Sequence, residues 1–250
     1  KDGPAIVDFI DKTLLDNLHV INPAILNPLD GGQPEVLLFI EIDDESSRSR
    51  KKIEKKIIKI LESYEAEIVI PTESSIESWE RLHDSASIYL THGVGKKRAV
   101  PILDDAQIPV DKMLSFFGEL DGLMQAAVLP EYAVWGQAGS GLVHVSPMID
   151  LSVVGERQKL FKVMEAYYSY VCSIGGSISG EYAEGRVRGI FNSRQFDEDA
   201  MNIFTKIKKI FDPSNILNPG LKTDVKVEDL KPLIRNEYSL GHQYNHLPRG

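Results

Sequence analysis

The chain has 250 residues, 42% hydrophobic and 26% charged, and a formal net charge of −9 at pH 7, a composition typical of a soluble globular protein with one large domain or two small ones. The acidic balance argues against nucleic acid as the main partner, and no apolar run approaches the roughly 20 residues of a membrane-spanning helix. Cys172 is the only cysteine, which excludes an internal disulfide or a multi-cysteine metal site and favours a reducing, cytoplasmic setting.

Hydrophobic periodicity predicts helices and short strands in the first half of the chain. Residues 4–17 begin with proline and keep their apolar side chains on one stripe, which predicts a helix. Residues 35–42 form an apolar run that is short enough to be a buried strand. The other elements predicted in this half are a helix at 46–65, a strand at 67–70, a helix at 74–91, a strand at 99–103 and a helix at 109–120.

The helix predicted at 46–65 also carries a basic run from Arg48 to Lys59. Such a run can bind nucleic acid, but Glu54 and Glu62 are interspersed among its cations. Mixed charges of this kind favour a solvated helix face.

The second half is predicted to contain a hairpin and two long helices. Strands 132–136 and 142–145 are joined by a glycine-containing turn, and residues 155–173 have helical periodicity. Residues 197–211 predict a further helix with Asp197 as its N-cap. The side chains expected to face the core from this helix are Ile203, Phe204, Ile207 and Ile210.

Short strands interleaved with longer helices, together with a hairpin, predict an α+β fold. We expect a ferredoxin-like antiparallel sheet with helices packed on one face, followed by C-terminal helices. Residues 221–250 show little apolar periodicity and are expected to form an extended tail.

Residues 175–189 are the stretch richest in chemistry. They contain five glycines, and between these lie Glu181, Tyr182, Glu184, Arg186 and Arg188. Charged groups framed by glycines after a long helix favour a working loop. The alternative is a flexible surface connection with solvated charges.

Three segments in the second half resemble, in order, one known family. They are residues 136–144 (GQAGSGLVH), 176–185 (GSISGEYAEG) and 212–220 (DPSNILNPG). They are similar to the hairpin, the Gly-Glu-His-Gly stretch and the closing signature of FAD-linked oxidases of the vanillyl-alcohol-oxidase type, the group of glycolate oxidase and D-lactate dehydrogenase. The resemblance extends over residues 3–222 and is to the C-terminal cap, or substrate, domain, which makes 223–250 a tail.

The resemblance implies a cap over the isoalloxazine ring of a flavin that a separate N-terminal domain mainly holds. We expect that FAD-binding domain to be absent from this chain, which is then a fragment of a longer protein. In such enzymes a D-2-hydroxy acid lies between flavin and cap, and its C2 hydride passes to the flavin. Two hairpin histidines and a glutamate often hold a divalent metal, and the histidine after that glutamate takes the hydroxyl proton.

At the matching positions, His144 and Glu181 keep two metal-ligand positions, whereas Gln137 replaces the first histidine and Tyr182 the general base. A tyrosine with a pKa near 10 holds its proton at neutral pH, and a carboxamide is a poor ligand for a transition metal. The resemblance therefore implies an incomplete metal site and a metal-independent activity in which Tyr182 donates a hydrogen bond.

The resemblance also suggests residues for substrate and cofactor. Gln137, Arg186 and Arg81, an arginine of the helix at 74–91, are expected at the substrate. A guanidinium binds a carboxylate well, so Arg186 or Arg188 could clamp a substrate carboxylate. Gly180 and Asn218 are expected at the flavin. In the alternative reading of this loop, Glu181 pairs with Arg186 or Arg188 and has no role in a pocket.

The resemblance implies one function, and these substitutions leave an alternative to it open. The first is an FAD-dependent 2-hydroxy-acid dehydrogenase or oxidase that is inactive without its FAD-binding domain and is compatible with an oligomer. The alternative is a non-catalytic module or subunit that has lost its site and binds a partner. A small-molecule regulatory domain of ferredoxin-like type is a third, weaker reading that the fold permits and no motif supports.

Overall fold

The computed structural model describes residues 3–234 and contains one antiparallel sheet of seven strands. The strands are β1 (Ile6–Asp11), β2 (Val36–Glu41), β3 (Gly93–Val94), β4 (Lys97–Ala99), β5 (Leu103–Gln107), β6 (Tyr132–Gln137) and β7 (Leu142–Ile149). Their order across the sheet is β2-β1-β6-β7-β4-β3, and β5 also pairs with β7. Up to residue 234 the predicted tail is not fully extended, because it contains a short helix at Val227–Leu230 with Leu230 buried. The rest of the predicted tail, beyond residue 234, lies outside the described residues.

Helices connect these strands and follow the sheet. They are α1 (Lys12–Ile21), α2 (Ser47–Glu62), α3 (Ile76–His83), α4 (Ala86–Thr91), α5 (Met113–Ala126), α6 (Val154–Ser173), α7 (Asn192–Gln195), α8 (Glu198–Phe211) and α9 (Val227–Leu230). Short 3₁₀ turns span Pro23–Leu29, Val110–Lys112, Arg188–Phe191 and Lys231–Leu233. The predicted α+β class, an antiparallel sheet with packed helices and helices after it, is confirmed. Within the described residues, no helix is long and apolar enough to cross a bilayer.

The helices cover both faces of the sheet, not the one face predicted. Neighbouring residues of a strand point to opposite faces, and Phe9 and Ile10 of β1 belong to different hydrophobic clusters. Phe9 shares its cluster with residues of α5 and α6, and Ile10 with residues of α1, α3 and α4. All eight residues of β7 are buried, so the centre of the sheet is covered on both sides.

The N-terminal helix prediction is wrong, because residues 4–17 contain strand β1 followed by α1. Ile6 and Ile10 are four positions apart, and an even spacing puts them on one strand face just as a spacing of four would put them on one helix stripe. The boundary is set by Asp11, whose carboxylate accepts a hydrogen bond from the backbone N–H of Leu14 at 2.8 Å. This N-cap starts the helix at Lys12.

Several other boundaries differ from the prediction. Residues 67–70 form no strand, and Val69 and Ile70 are exposed. The helix predicted at 74–91 is broken between α3 and α4, and the strand predicted at 99–103 falls mostly between β4 and β5. In contrast, α2, the β6–β7 hairpin, α6 and the Asp197 N-cap are confirmed, the last by a 2.8 Å bond from the Ala200 N–H. The strand predicted at 35–42 is also present as β2, but it is not buried, because it lies at the edge of the sheet and Val36 and Leu38 are exposed.

The apolar stripe of α8 does not face the core. Ile203, Ile207 and Ile210 are 53%, 49% and 73% exposed. Phe204 is half-buried and packs edge-to-face on Phe196, with ring centroids 5.1 Å apart. Amphipathic spacing predicted the helix correctly, but nothing among residues 3–234 covers most of its apolar side.

Candidate functional site

Strand β5 contains an irregularity at two adjacent aspartates. The register of β5 on β7 shifts between Leu103 and Ala106, which leaves Asp104 and Asp105 in a bulge, and Asp105 has a left-handed backbone with φ of 61°. Bulges redirect side chains and are common beside active sites. Here the two carboxylates reach two different segments of the chain.

The first carboxylate holds His144. Asp104 Oδ1 lies 2.5 Å from His144 Nδ1, and the histidine is only 8% exposed. The imidazole ring also stacks on Trp135 of the neighbouring strand β6, with centroids 5.5 Å apart and planes at 16°. Nε2 makes no hydrogen bond to any of the residues described, so it is the ring atom left for another group.

The backbone around Asp104 is anchored from α6. The hydroxyl of Tyr168 donates to the carbonyl of Ile102 at 2.9 Å and lies 3.2 Å from that of Asp104. Tyr168 is fully buried, and burial raises the pKa of its hydroxyl well above the ordinary value. The phenol therefore stays neutral and remains a hydrogen-bond donor.

The second carboxylate organises the glycine-rich loop. Asp105 is fully buried, pairs with Arg188, and accepts the backbone N–H groups of Glu181 at 2.7 Å and Tyr182 at 3.0 Å. Arg188 donates further to the carbonyls of Ile178 and Ala183, both at 2.9 Å. The loop therefore wraps a buried ion pair and is not a flexible connection.

Gly180, predicted at the flavin, is explained locally by close packing. An added Cβ would lie 2.4 Å from Leu142 Cδ1, and the Gly180 N–H donates to the Asp105 carbonyl at 2.9 Å. Loop and hairpin are thus in direct contact.

Glu181 and Tyr182 have a fixed backbone and exposed side chains. Tyr182 is 58% exposed, and neither side chain has a hydrogen bond or ion pair to residues 3–234. The alternative pairing of Glu181 is not seen, because Arg188 binds Asp105 and Arg186 donates to the carbonyl of Pro219 at 3.3 Å. Both side chains are thus presented outward.

Of the two remaining substrate candidates, one lies at the site and one does not. Gln137 ends β6 with its side chain exposed, and its side-chain amide oxygen Oε1 accepts a hydrogen bond from the Ser140 hydroxyl at 3.1 Å. Arg81 is exposed and lies 3.6 Å from Glu77 of its own helix. The expected substrate role of Arg81 has no support from this contact.

His83 reaches the sheet from the same helix, which the sequence analysis did not foresee. Its Nε2 lies 2.9 Å from Asp8 Oδ2, and its Nδ1 lies 2.9 Å from Asp84 Oδ1. Asp8 is the cross-strand partner of Gln137. In the sequence, His83 lies four residues after Trp79, which is half-buried. Residues four apart share a helix face, so this spacing indicates that the His83 side chain points toward the sheet.

The segment around Asn218 joins the glycine-rich loop. Asn218 is exposed and has a left-handed φ of 47°. Two contacts connect this region to the loop: the Arg186–Pro219 hydrogen bond and an ion pair of 2.8 Å between Lys222 and the buried Glu184. The left-handed backbone of Asn218 is typical of a turn. Its position beside the loop is compatible with a contact to the flavin, which stays a proposal.

The residues present do not fit a metal. Across residues 3–234 no three His, Cys, Asp or Glu side chains converge on one point, and one of the expected ligand positions is Gln137, whose carboxamide is a poor ligand for a transition metal. Asp104, Asp105 and the pairing of Arg188 were not predicted as parts of the site. The only sign of these residues in the sequence is the adjacent pair Asp104 and Asp105, with Pro109 four residues after Asp105.

Comparison with known proteins identifies the family. Residues 1–221 match the family model described as "FAD linked oxidases, C-terminal domain", and the chain belongs to this family. The resemblance drawn from the three sequence segments is confirmed.

Curated relatives point to 2-hydroxy-acid enzymes. The chain is 24% identical over 234 residues to a D-2-hydroxyglutarate dehydrogenase of Haemophilus influenzae, covering 88% of this chain and 22% of that protein. It is 24% identical over 217 residues to the glycolate oxidase subunit GlcD of Bacillus subtilis, covering 87% and 44%. With a D-lactate dehydrogenase of Archaeoglobus fulgidus it shares 30% identity over 125 residues, covering 50% and 27%. The chain thus spans less than half the length of each.

A solved structure shows the same fold. The 4-ethylphenol oxidase from Gulosibacter chungangensis, in complex with isoeugenol, superposes with a TM-score of 0.55 and 12% sequence identity. The superposition covers 89% of this chain and 48% of the oxidase chain.

Proposed function

We propose that this chain is the substrate-facing cap of an FAD-dependent dehydrogenase or oxidase that acts on a D-2-hydroxy acid, such as a lactate- or glycolate-like compound, or on a related alcohol. The observation that carries this proposal is the bulge at Asp104 and Asp105. Through it, His144 of the hairpin and the backbone of Glu181 and Tyr182 are held by consecutive residues, although they lie far apart in sequence.

FAD, when bound, supplies the acceptor for the substrate hydride. We propose that an N-terminal FAD-binding domain of the same protein holds the cofactor, since relatives of this chain are two to four times its length. The outward-facing side chains of Glu181 and Tyr182 fit one wall of a cleft that a second domain completes. Gly180 and Asn218 are the residues of this chain that we expect nearest the flavin.

Each remaining group has a proposed task. His144 and Glu181 contact the substrate hydroxyl, and Tyr182 donates a hydrogen bond through its phenol hydroxyl. Gln137 and Arg186 bind the substrate carboxylate. The activity is proposed not to need a metal, because Gln137 and Tyr182 replace a ligand and the base.

The exposed side of α8 supports the presence of a partner domain. Ile203, Ile207 and Ile210 form a row of large apolar side chains that water solvates poorly, and Phe211 beside them is 79% exposed. Contiguous apolar surface of this kind is typical of a face that packs against another domain or protein.

The test uses the intact protein, including its FAD-binding domain. Under anaerobic conditions, we expect bleaching of the oxidised flavin absorbance by at least one D-2-hydroxy acid or related alcohol, and little by the matching L-acids. The same reduction is expected after treatment with a chelator. Stoichiometric metal that is needed for activity would contradict the metal-independent reading.

A second candidate, a non-catalytic module that binds a partner, is favoured by one observation. Gln137 and Tyr182 replace the family's imidazoles, and both side chains are exposed. Failure of every acid and alcohol in the panel to reduce the flavin would overturn the enzyme proposal and support the module.

A further inference from the structure

We propose that Asp104 is a positioning residue that holds His144 in the tautomer with its proton on Nδ1, so that Nε2 is the atom offered to the substrate. The contact between Nε2 and a substrate rests on the function proposed above. The tautomer itself does not depend on that function, because it follows from contacts within this chain.

The hydrogen bond between the two side chains defines where the proton lies. An ionised carboxylate only accepts hydrogen bonds, so the ring nitrogen facing it has to carry the proton. Asp104 Oδ1 lies 2.5 Å from Nδ1, and the two side chains are 25% and 10% exposed. In a neutral imidazole with its proton on Nδ1, Nε2 holds a free electron pair.

The ring is held against rotation. Trp135 stacks on it at 16° and 5.5 Å, and the flanking residues Val143 and Val145 are fully buried in the core. A ring flip would exchange Nδ1 for Cδ2 and lose the bond to Asp104. One orientation is thus favoured by packing and hydrogen bonding together.

The carboxylate is held as well. Asp104 lies between Leu103 and Asp105, both fully buried, and Asp105 is fixed by its ion pair with Arg188. The left-handed backbone at Asp105 sets the bulge that turns the Asp104 side chain toward β7. Asp104 therefore needs little rearrangement to stay hydrogen-bonded to His144.

This arrangement offers the proton acceptor that Tyr182 does not supply. In the proposed oxidation, Nε2 of His144 would take the proton of the substrate hydroxyl as the carbon–oxygen single bond becomes a carbonyl, and FAD, when bound, would supply the acceptor for the C2 hydride. The imidazolium that results is paired with the Asp104 carboxylate. Proton transfer by a positioned side chain contributes about 10²–10⁴-fold in rate.

The first test measures the tautomer in the full chain by ¹⁵N NMR of labelled histidines, with His144→Gln used to assign the signal. We expect an Nδ1–H tautomer in the unaltered chain. In Asp104→Asn the amide NH₂ can donate to Nδ1, so we expect a shift to the Nε2–H tautomer. Asp104→Glu is expected to restore Nδ1–H, and Asp111→Asn, which removes a charge from an exposed turn, to change nothing.

An Nε2–H tautomer in the unaltered chain would overturn the proposal, and so would an unchanged signal in a folded Asp104→Asn chain. If Asp104→Asn does not fold, the tautomer of the unaltered chain still decides. Folding of each variant is checked from the dispersion of the amide spectrum.

The second test uses the intact holoenzyme. Asp104→Asn is expected to lower kcat about 10²-fold or more while KM changes less than about threefold, since the loss is in proton transfer and not in binding. Asp111→Asn is the matched control. An active enzyme with unchanged kcat in Asp104→Asn contradicts the positioning role, whereas an inactive flavoprotein with the expected tautomer contradicts only the proposed function.

Discussion

At the scale of single residues, the buried ion pair between Asp105 and Arg188 is the feature on which the glycine-rich loop depends. Desolvating two charges is unfavourable, and it is offset only when their remaining hydrogen-bonding groups are satisfied. Here the carboxylate also accepts two backbone N–H groups, and the guanidinium donates to the carbonyls of Ile178 and Ala183. Removing one partner leaves the other charge buried and unpaired.

Arg188→Met is therefore expected to lower the free energy of unfolding by about 3–5 kcal/mol, measured by urea denaturation. The control is Arg186→Met, because Arg186 is exposed and makes one long hydrogen bond, so a change within about 0.5 kcal/mol is expected. Equal effects of the two substitutions would show that the loop does not depend on the buried pair.

The hairpin turn gives a second residue-scale prediction. Gly141 has a φ of +79°, and an added Cβ would lie 1.9 Å from the carbonyl oxygen of Ile108, whereas a Cβ on Gly139 would meet only Val7 at 3.8 Å. We expect Gly141→Ala to destabilise the chain by more than about 2 kcal/mol and Gly139→Ala to cost clearly less. Thermal unfolding of both variants measures the difference, and similar midpoints would contradict it.

At the scale of elements, α3 is tied to β1 by His83. Burial disfavours the charged imidazole, but the hydrogen bonds and charges of Asp8 and Asp84 together outweigh it, so the pKa of His83 is raised. A histidine whose pKa is raised in the folded state stabilises the fold while it is protonated. This stabilisation is complete below the ordinary pKa of about 6.5 and is lost as the pH rises through the pKa of the folded state.

We therefore expect the free energy of unfolding to fall in the pH range above about 6.5, and His83→Gln to weaken this dependence. The measurement is urea denaturation across that pH range. His19→Gln, at an exposed position, serves as the control and should retain the slope of the unaltered chain. An unchanged slope in His83→Gln would mean that the ion pairs do not form in solution.

The apolar side of α8 is expected to contribute little to the stability of this chain. Ile210 is 73% exposed, whereas Leu160 of α6 is fully buried in the core. Ile210→Ser should change the free energy of unfolding by no more than about 0.5 kcal/mol, and Leu160→Ala should cost about 2–5 kcal/mol. A large loss in Ile210→Ser would mean that α8 packs against this chain in solution.

At the scale of the whole molecule, the sheet has helices on both faces, and its site lies where hairpin, bulge and glycine-rich loop meet. Glu181, Tyr182 and Gln137 project from this junction as exposed side chains. Such a surface needs a second wall before it can exclude water from a reaction.

The purified chain is accordingly expected to retain no stoichiometric FAD, which is measured from the flavin absorbance after gel filtration. The sequence contains no glycine-rich phosphate cradle before residue 130, and in our proposal the partner domain supplies it. Adding that domain should restore a flavin-containing complex. Tight FAD binding by the chain alone would contradict the proposal that a separate domain holds the cofactor.

Local signals in the sequence were sufficient for several elements. The β6–β7 hairpin, α6 and the N-cap at Asp197 were predicted because each depends on residues close together in the chain. Residues 4–17 were misread because the spacing of Ile6 and Ile10 suits both a helix and a strand. The stripe of α8 was misread because amphipathic spacing does not say whether this chain or another covers the apolar side.

The sequence alone determined the family, through three ordered motifs, and the α+β class, through strand and helix periodicity. Only the tertiary structure decided which groups meet. Asp104 lies 40 residues before His144, and Asp105 lies 83 residues before Arg188. Their pairing depends on a bulge in β5, and this bulge forms where β5 pairs with β7, a strand that lies far from it in the sequence.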